Sequence, residues 1–150
     1  MNGKRIVIAT DGSAGSREAL ETGLAIARES RAAATLVYVR RPPHAFLGQP
    51  FYQCALTEEL GRARAALAAG EVVAAEQGLT VETEILEGRP AGRILDLARA
   101  RDASLIVVGS RGRGTVTEAL LGSVSSEIVH KADRPVLVAT QRSRRRLRAA

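Results

Sequence analysis

The chain has few of the residues on which cross-linking, metal binding and covalent catalysis depend. It has one cysteine, Cys54, so an intramolecular disulfide is excluded and a reducing compartment fits. The two histidines, His44 and His130, share no metal-ligand spacing with Cys54, so no side-chain metal cluster is expected; His130, near a helix end, suits the dipole there. There is no Gly-x-Ser-x-Gly elbow and no Cys/His pair to nominate a nucleophile. Gly-x-x-x-x-Gly-Lys-Ser/Thr is missing, as is Gly-x-Gly-x-x-Gly after the first apolar run, which excludes the P-loop and the usual dinucleotide fingerprint. No apolar run approaches the ~18 residues of a membrane span. The N-terminal run Ile6-Val-Ile-Ala9 is also too short for a signal peptide's apolar region. A soluble, cytoplasmic protein is expected.

What remains is an ordinary globular composition. The 150 residues suit one domain, 45% being apolar and 25% charged. The net charge of +6 invites a polyanion partner, but its location argues otherwise. Residues 142–150 carry five arginines and no acid; without them 17 basic residues face 16 acidic ones. The body, 1–141, is therefore near neutrality, and 142–150 reads as a basic, flexible tail. No aromatic residue is interleaved in that tail for base stacking, so any contact with nucleic acid or anionic lipid is expected to be weak and salt-sensitive.

Five short β-branched runs have strand length: Arg5–Thr10, Thr35–Val39, Leu79–Leu86, Ser104–Val108 and Pro135–Thr140. All but the third are nearly continuously apolar, as strands covered on both faces are. The third alternates and reads as an edge or half-exposed strand. Helical segments separate them. Residues 16–30 align Leu20, Leu24 and Ala27, with Ser13 or Ser16 as N-cap. Residues 56–77 align Leu60, Ala63, Leu67, Gly70 and Ala74, stopped by Gly78. Residues 91–100 are opened by Pro90, and residues 123–131 carry Val124, Ile128 and Val129. The alternation predicts a single-domain α/β fold, doubly wound, with a five-stranded parallel sheet and helices on both faces. The stretch 41–54, which holds three of the five prolines and both phenylalanines, reads as a long connection, or as a lid or partner contact beside a ligand crevice.

In such a sheet, ligands bind beyond the carboxyl ends of the strands, where the winding reverses. Two ends are rich there. The first run closes in Thr10-Asp11-Gly12-Ser13. The fourth closes in Gly109-Ser110-Arg111-Gly112-Arg113-Gly114, with Gly122-Ser123 opening the last helix. Gly109 and Gly112 permit positive φ and close approach to a ligand. The orphan N–H groups after Gly122, with the hydroxyls of Ser123 and Ser125, suit a phosphate. Arg111 and Arg113 read either as guanidinium charge for phosphate oxygens or as solvated loop residues. Asp11 reads either as a ligand contact or as a turn cap.

The spacing Gly109-x-x-Gly112, nine residues, Gly122-Ser123 resembles the Gly-2x-Gly-9x-Gly-Ser/Thr signature of the ATP-binding universal stress proteins. The likeness extends through Ile6-Val-Ile-Ala-Thr-Asp-Gly-Ser13, Glu87-Gly-Arg-Pro90, Asp102 to Gly112, and Ser123 to Val138. It implies the strand order 3-2-1-4-5 of the adenine nucleotide α-hydrolase-like fold. It also implies an ATP site: Asp11 on the ribose or a phosphate-bound Mg2+, Thr10 beside it, and Val39 holding adenine through backbone groups. Val108, Gly109, Arg111 and Gly112 would frame ribose and phosphates, and Gly122, Ser123, Val124 and Ser125 would cradle the triphosphate. ATP would act as a regulatory ligand in stress response, in a homodimer paired through Pro135–Thr140. No catalytic residue is assigned, and slow ATP turnover is expected at most. Two alternatives stay open: an interaction module that binds no nucleotide, and a slow ATPase.

Overall fold

A computed structural model describes residues 3–110 and 121–140. The expectations for Arg111, Gly112, Arg113 and the tail 142–150 lie outside the described residues. The strands are β1 (Arg5–Ala9), β2 (Ala33–Arg40), β3 (Glu82–Glu87), β4 (Leu105–Gly109) and β5 (Val136–Ala139), all parallel, in the order β3-β2-β1-β4-β5. The helices are α1 (Ala14–Ser30), α2 (Phe51–Glu76), α3 (Pro90–Ala100) and α4 (Ser123–Lys131), with a 3-10 turn at Ala45–Leu47. The expected α/β architecture and strand order are both present.

The continuous apolar runs are explained by two cores, one on each face of the sheet. Ile6, Ile8, Leu36, Tyr38 and Val107 join Leu20, Leu24, Ala63 and Leu67 of α1 and α2 on one face. Val7, Val37, Ile106 and Val108 join Ile94, Leu95, Ala98 and Ile128 of α3 and α4 on the other. Successive residues of a strand point to opposite faces, so a strand covered twice has no polar position to spare. The alternating third run is the edge strand β3, as its pattern requires.

Ser13 caps α1, its hydroxyl accepting from the Ser16 N–H at 3.3 Å. Two expectations are corrected. The second long helix starts at Phe51 rather than 56, so Phe51 to Cys54 belong to α2 and not to a connection. Its start is masked in the sequence because Pro50 stands at the N-cap without a side-chain cap, and Ala63 is the first buried residue. On α4, Val129 is 45% exposed and Ser125 is buried instead. Ser125 and Ile128 lie three apart on one helical face, whereas Val129 is a further 100° round.

Candidate functional site

The carboxyl end of the sheet opens because β1 is short. Its register with β2 ends at Ala9 opposite Val37, while β2 continues to Arg40. Thr10 donates its N–H to the Val37 carbonyl at 2.9 Å, so Val37 turns its backbone groups toward β1. The Arg40 carbonyl accepts from the Gly88 N–H at 3.0 Å and so faces β3. By the two-residue period, Val39 presents its N–H and C=O on the β1 side, past the point where β1 has left the sheet. On the other flank, Ile106 and Ser110 donate to carbonyls of Pro135 and Ala139 and face β5. Gly109 therefore turns its backbone groups toward the same gap. Val39 and Gly109 face each other across a space of two strand spacings, roughly 9–10 Å.

That gap is the mouth of a cavity of about 520 Å³, within the range of small-ligand sites. Thr10, Asp11, Val39, Val108, Gly109, Gly122, Ser123, Val124 and Ser125 all line it. The fold thus brings together every described residue of the sequence-based site. Arg111 and Gly112 lie outside the described residues.

The local chemistry refines several of these positions. Thr10 is buried, and its hydroxyl lies 3.2 Å from that of Ser16 and accepts the Gly12 N–H at 3.3 Å. The Asp11 carboxylate accepts the Ser13 N–H at 2.9 Å, the Asx turn that the alternative reading anticipated. Gly12 takes φ +80 in that turn. Asp11 therefore caps the turn and lines the cavity at once.

Gly109 does not use positive φ. A Cβ there would lie 2.6 Å from the Gly15 carbonyl oxygen and 3.2 Å from the Ser16 nitrogen. Its side-chain vacancy faces the protein, letting α1 begin against the end of β4. Ser125 departs from expectation too. Its hydroxyl is buried and donates to the Ser110 and Gly122 carbonyls, at 3.2 and 3.1 Å. That proton is committed to fixing Gly122, whose own N–H donates to Ser110 at 2.6 Å.

Among the described residues, no side chain caps the start of α4. Ser126 makes the first bond back to Gly122, so the N–H groups of Ser123, Val124 and Ser125 lack the intrahelical acceptors that begin with that bond. Gly122 supplies no side-chain cap, and the first turn holds no acid. Glu127, one turn on, is ion-paired with Lys131 at 2.8 Å and Arg89 at 3.3 Å. A hydrogen bond from Lys131 holds its carboxyl below the ordinary range against some desolvation, and the charges of Lys131 and Arg89 act in the same direction. Among the described residues, N–H groups at a helix start with a favourable dipole and no acid in the first turn suit an anion at the cavity's β4 side.

Sequence reasoning passed over Tyr38, Arg41, Glu59, Pro90 and Ile94, all of which line the cavity. For Glu59 a signal exists. It stands four residues before Ala63 on the stripe that continues through Leu67, Gly70 and Ala74, so a charge occupies a position of the buried face. Among the described residues, no three His, Cys, Asp or Glu side chains converge as a metal site. Among those residues, too, no helix is long and apolar enough to cross a membrane.

Comparison with known proteins gives consistent results. A family model described as the universal stress protein family matches residues 3–140. A universal stress protein of Thermus aquaticus is 37% identical over 135 residues, covering 90% of this chain and 97% of the relative. The solved structure of a universal stress protein UspA from Lactobacillus plantarum superposes with a TM-score of 0.82 at 26% identity, covering 93% of this chain and 99% of that one. A universal stress protein crystallised in complex with cAMP superposes with a TM-score of 0.73, also at 26% identity, over 93% and 98% of the two chains.

Proposed function

The chain belongs to the universal stress protein family, and from that membership we propose that it binds an adenine nucleotide, ATP, in the crevice between the ends of β2 and β4. The observation that carries the reading is the pairing of two open backbone surfaces across one gap. Val39 offers an N–H and a C=O on the β2 side, and the uncapped start of α4 offers anion-binding donors on the β4 side. A nucleotide has both needs, a base edge that accepts and donates and a phosphate that seeks N–H groups. The cAMP complex of a structural relative supports the same ligand class.

In this reading Val39 holds adenine, while Val108, Gly109, Arg111 and Gly112 frame the ribose and phosphates. Gly122, Ser123, Val124 and Ser125 form the phosphate cradle, Ser125 by its backbone N–H and by holding Gly122 in place. Thr10 shapes the turn, and Asp11 contacts the ribose or a Mg2+ carried on the phosphates. Mass spectrometry of protein purified and then denatured is the direct test. Co-released adenine nucleotide is expected; an empty protein that also fails to bind ATP in calorimetry overturns the proposal and favours the interaction-module alternative.

Asp11 has its own test, because the turn and the ligand role separate chemically. Asp11→Asn keeps an amide oxygen for the Ser13 N–H but loses the negative charge. Thermal stability should change little, while Mg2+–ATP binds roughly tenfold more weakly by calorimetry, about the worth of a charged hydrogen bond. Unchanged affinity removes Asp11 from the site.

The nucleotide is read as a regulatory ligand in a cytoplasmic stress response. Glu59 and Asp11 are the carboxylates on the described cavity wall, and both already hold backbone or side-chain partners, which suits retention of ATP better than turnover. Dimerisation is proposed through β5, a sheet edge whose Val136, Leu137 and Val138 remain half-buried. An apolar edge of this kind is a pairing surface. Sedimentation at micromolar concentration should give a dimer, and a monomer overturns this part.

A further inference from the structure

We infer that Glu59, held by Tyr38, makes the crevice selective for a purine that carries a 6-amino group. The inference rests on the nucleotide reading above and adds the residue that chooses the base.

Glu59 occupies an unusual place. It stands on the stripe of α2 that faces the sheet, one turn before Ala63, the first buried residue of the helix. Its side chain is 22% exposed and lines the cavity beside Tyr38 and Val39. Tyr38 is buried in β2 and donates its hydroxyl to Glu59 Oε1 at 3.1 Å. The second oxygen, Oε2, lies 3.5 Å from Arg62 one turn along α2. A tyrosine fixed in the sheet thus sets the position of the carboxylate against the strand whose backbone opens to the ligand.

The location decides which part of a nucleotide it meets. A carboxylate repels phosphate, and the anion-binding donors of α4 lie on the opposite side of the gap. Glu59 belongs to the β2 side, next to Val39 and hence to the base. Val39 alone provides one donor and one acceptor. An adenine edge fills these with its ring nitrogen and one amino hydrogen, leaving a second amino hydrogen without an acceptor. A carboxylate, which only accepts, suits that hydrogen. Guanine or hypoxanthine would bring a carbonyl oxygen to the same place, setting acceptor against acceptor. Discrimination of this kind arises because the wrong base leaves polar groups unpaired.

Calorimetry with ATP, GTP and purine riboside triphosphate, which lacks the 6-amino group, tests the assignment on the full chain. The wild type should bind ATP roughly tenfold or more tightly than either competitor. Glu59→Ala should weaken ATP about tenfold and leave the desamino analogue nearly unchanged. Glu59→Gln keeps the size and an acceptor for Tyr38 but adds an amide donor. It should lower the ATP-to-GTP affinity ratio about tenfold, with GTP itself gaining. Tyr38→Phe, which frees the carboxylate without removing it, should give a smaller loss restricted to ATP. Equal affinity of the wild type for ATP and its desamino analogue overturns the inference, as does a Glu59 variant that weakens both equally. A wild type that binds none of the three nucleotides overturns the nucleotide reading itself, an outcome distinct from ATP binding that ignores Glu59.

Discussion

Replacing Ser123 by aspartate is expected to stabilise the free protein and, in the same molecule, to weaken ATP binding about a hundredfold. Ser123 is the first residue of α4, it is exposed, and Gly122 before it supplies no side-chain cap. A carboxylate there meets orphan N–H groups and the positive end of the dipole, an interaction worth about 0.3–1 kcal/mol at such a site. Stability of the unliganded protein in urea should therefore rise or hold. A bound triphosphate would instead meet a fixed negative charge within about 5 Å, at ~1–3 kcal/mol for each phosphate charge in a half-solvated setting. It would also compete with that carboxylate for the same donors. The opposite signs are the point of the test: a merely damaged fold lowers stability and affinity together. Ser123→Asp protein that binds ATP as tightly as wild type removes the α4 start from the site.

The sequence carried the fold more fully than the details of the crevice, for a physical reason. Continuous apolar strands, helices with one apolar stripe and a glycine-serine spacing are repeated signals, so the β3-β2-β1-β4-β5 order and the residues at the open end of the sheet were legible. The N-terminus of α2 was not, because Pro50 gives no polar cap and the turns from Phe51 to Arg62 bury no residue completely. Val129 was misplaced by reading apolar character where a hydroxyl does the work. Ser125 takes the inward position, its hydroxyl donating to the Ser110 and Gly122 carbonyls. Asp11 was legible as one of two things and proves to have the turn-capping bond while still lining the cavity. Glu59 and Tyr38 were invisible as a pair because they are brought together by tertiary packing across a long stretch of chain. A charge on an apolar stripe was the sole local trace of it.

Gly109 is where fold and site depend on one missing atom, and Gly109→Ala should damage both. Gly109 closes β4 opposite Ala139 and faces the gap beside β1. Its added methyl would sit 2.6 Å from the Gly15 oxygen and 2.8 Å from the Gly15 carbonyl carbon. Those atoms are backbone in the first turn of α1, so no rotamer change relieves the overlap, and the helix start or the strand end must move. Overpacking of this kind costs about 1–3 kcal/mol, and the upper part of that range is expected where the obstacle is main chain. The displacement falls on the Thr10–Ser16 turn, whose bonds from the Ser13 N–H to Asp11 and between Thr10 and Ser16 set that wall of the cavity. ATP affinity should therefore drop at least tenfold under conditions where the variant is still folded. A second glycine supplies the control. Gly92, on α3, has open space where a Cβ would stand. Gly92→Ala should leave binding unchanged and gain up to about 1 kcal/mol from helix propensity. Urea denaturation and calorimetry on the two alanine variants separate the readings. If Gly109→Ala behaves like Gly92→Ala, the close approach of β4 to α1 is not what holds the crevice in shape.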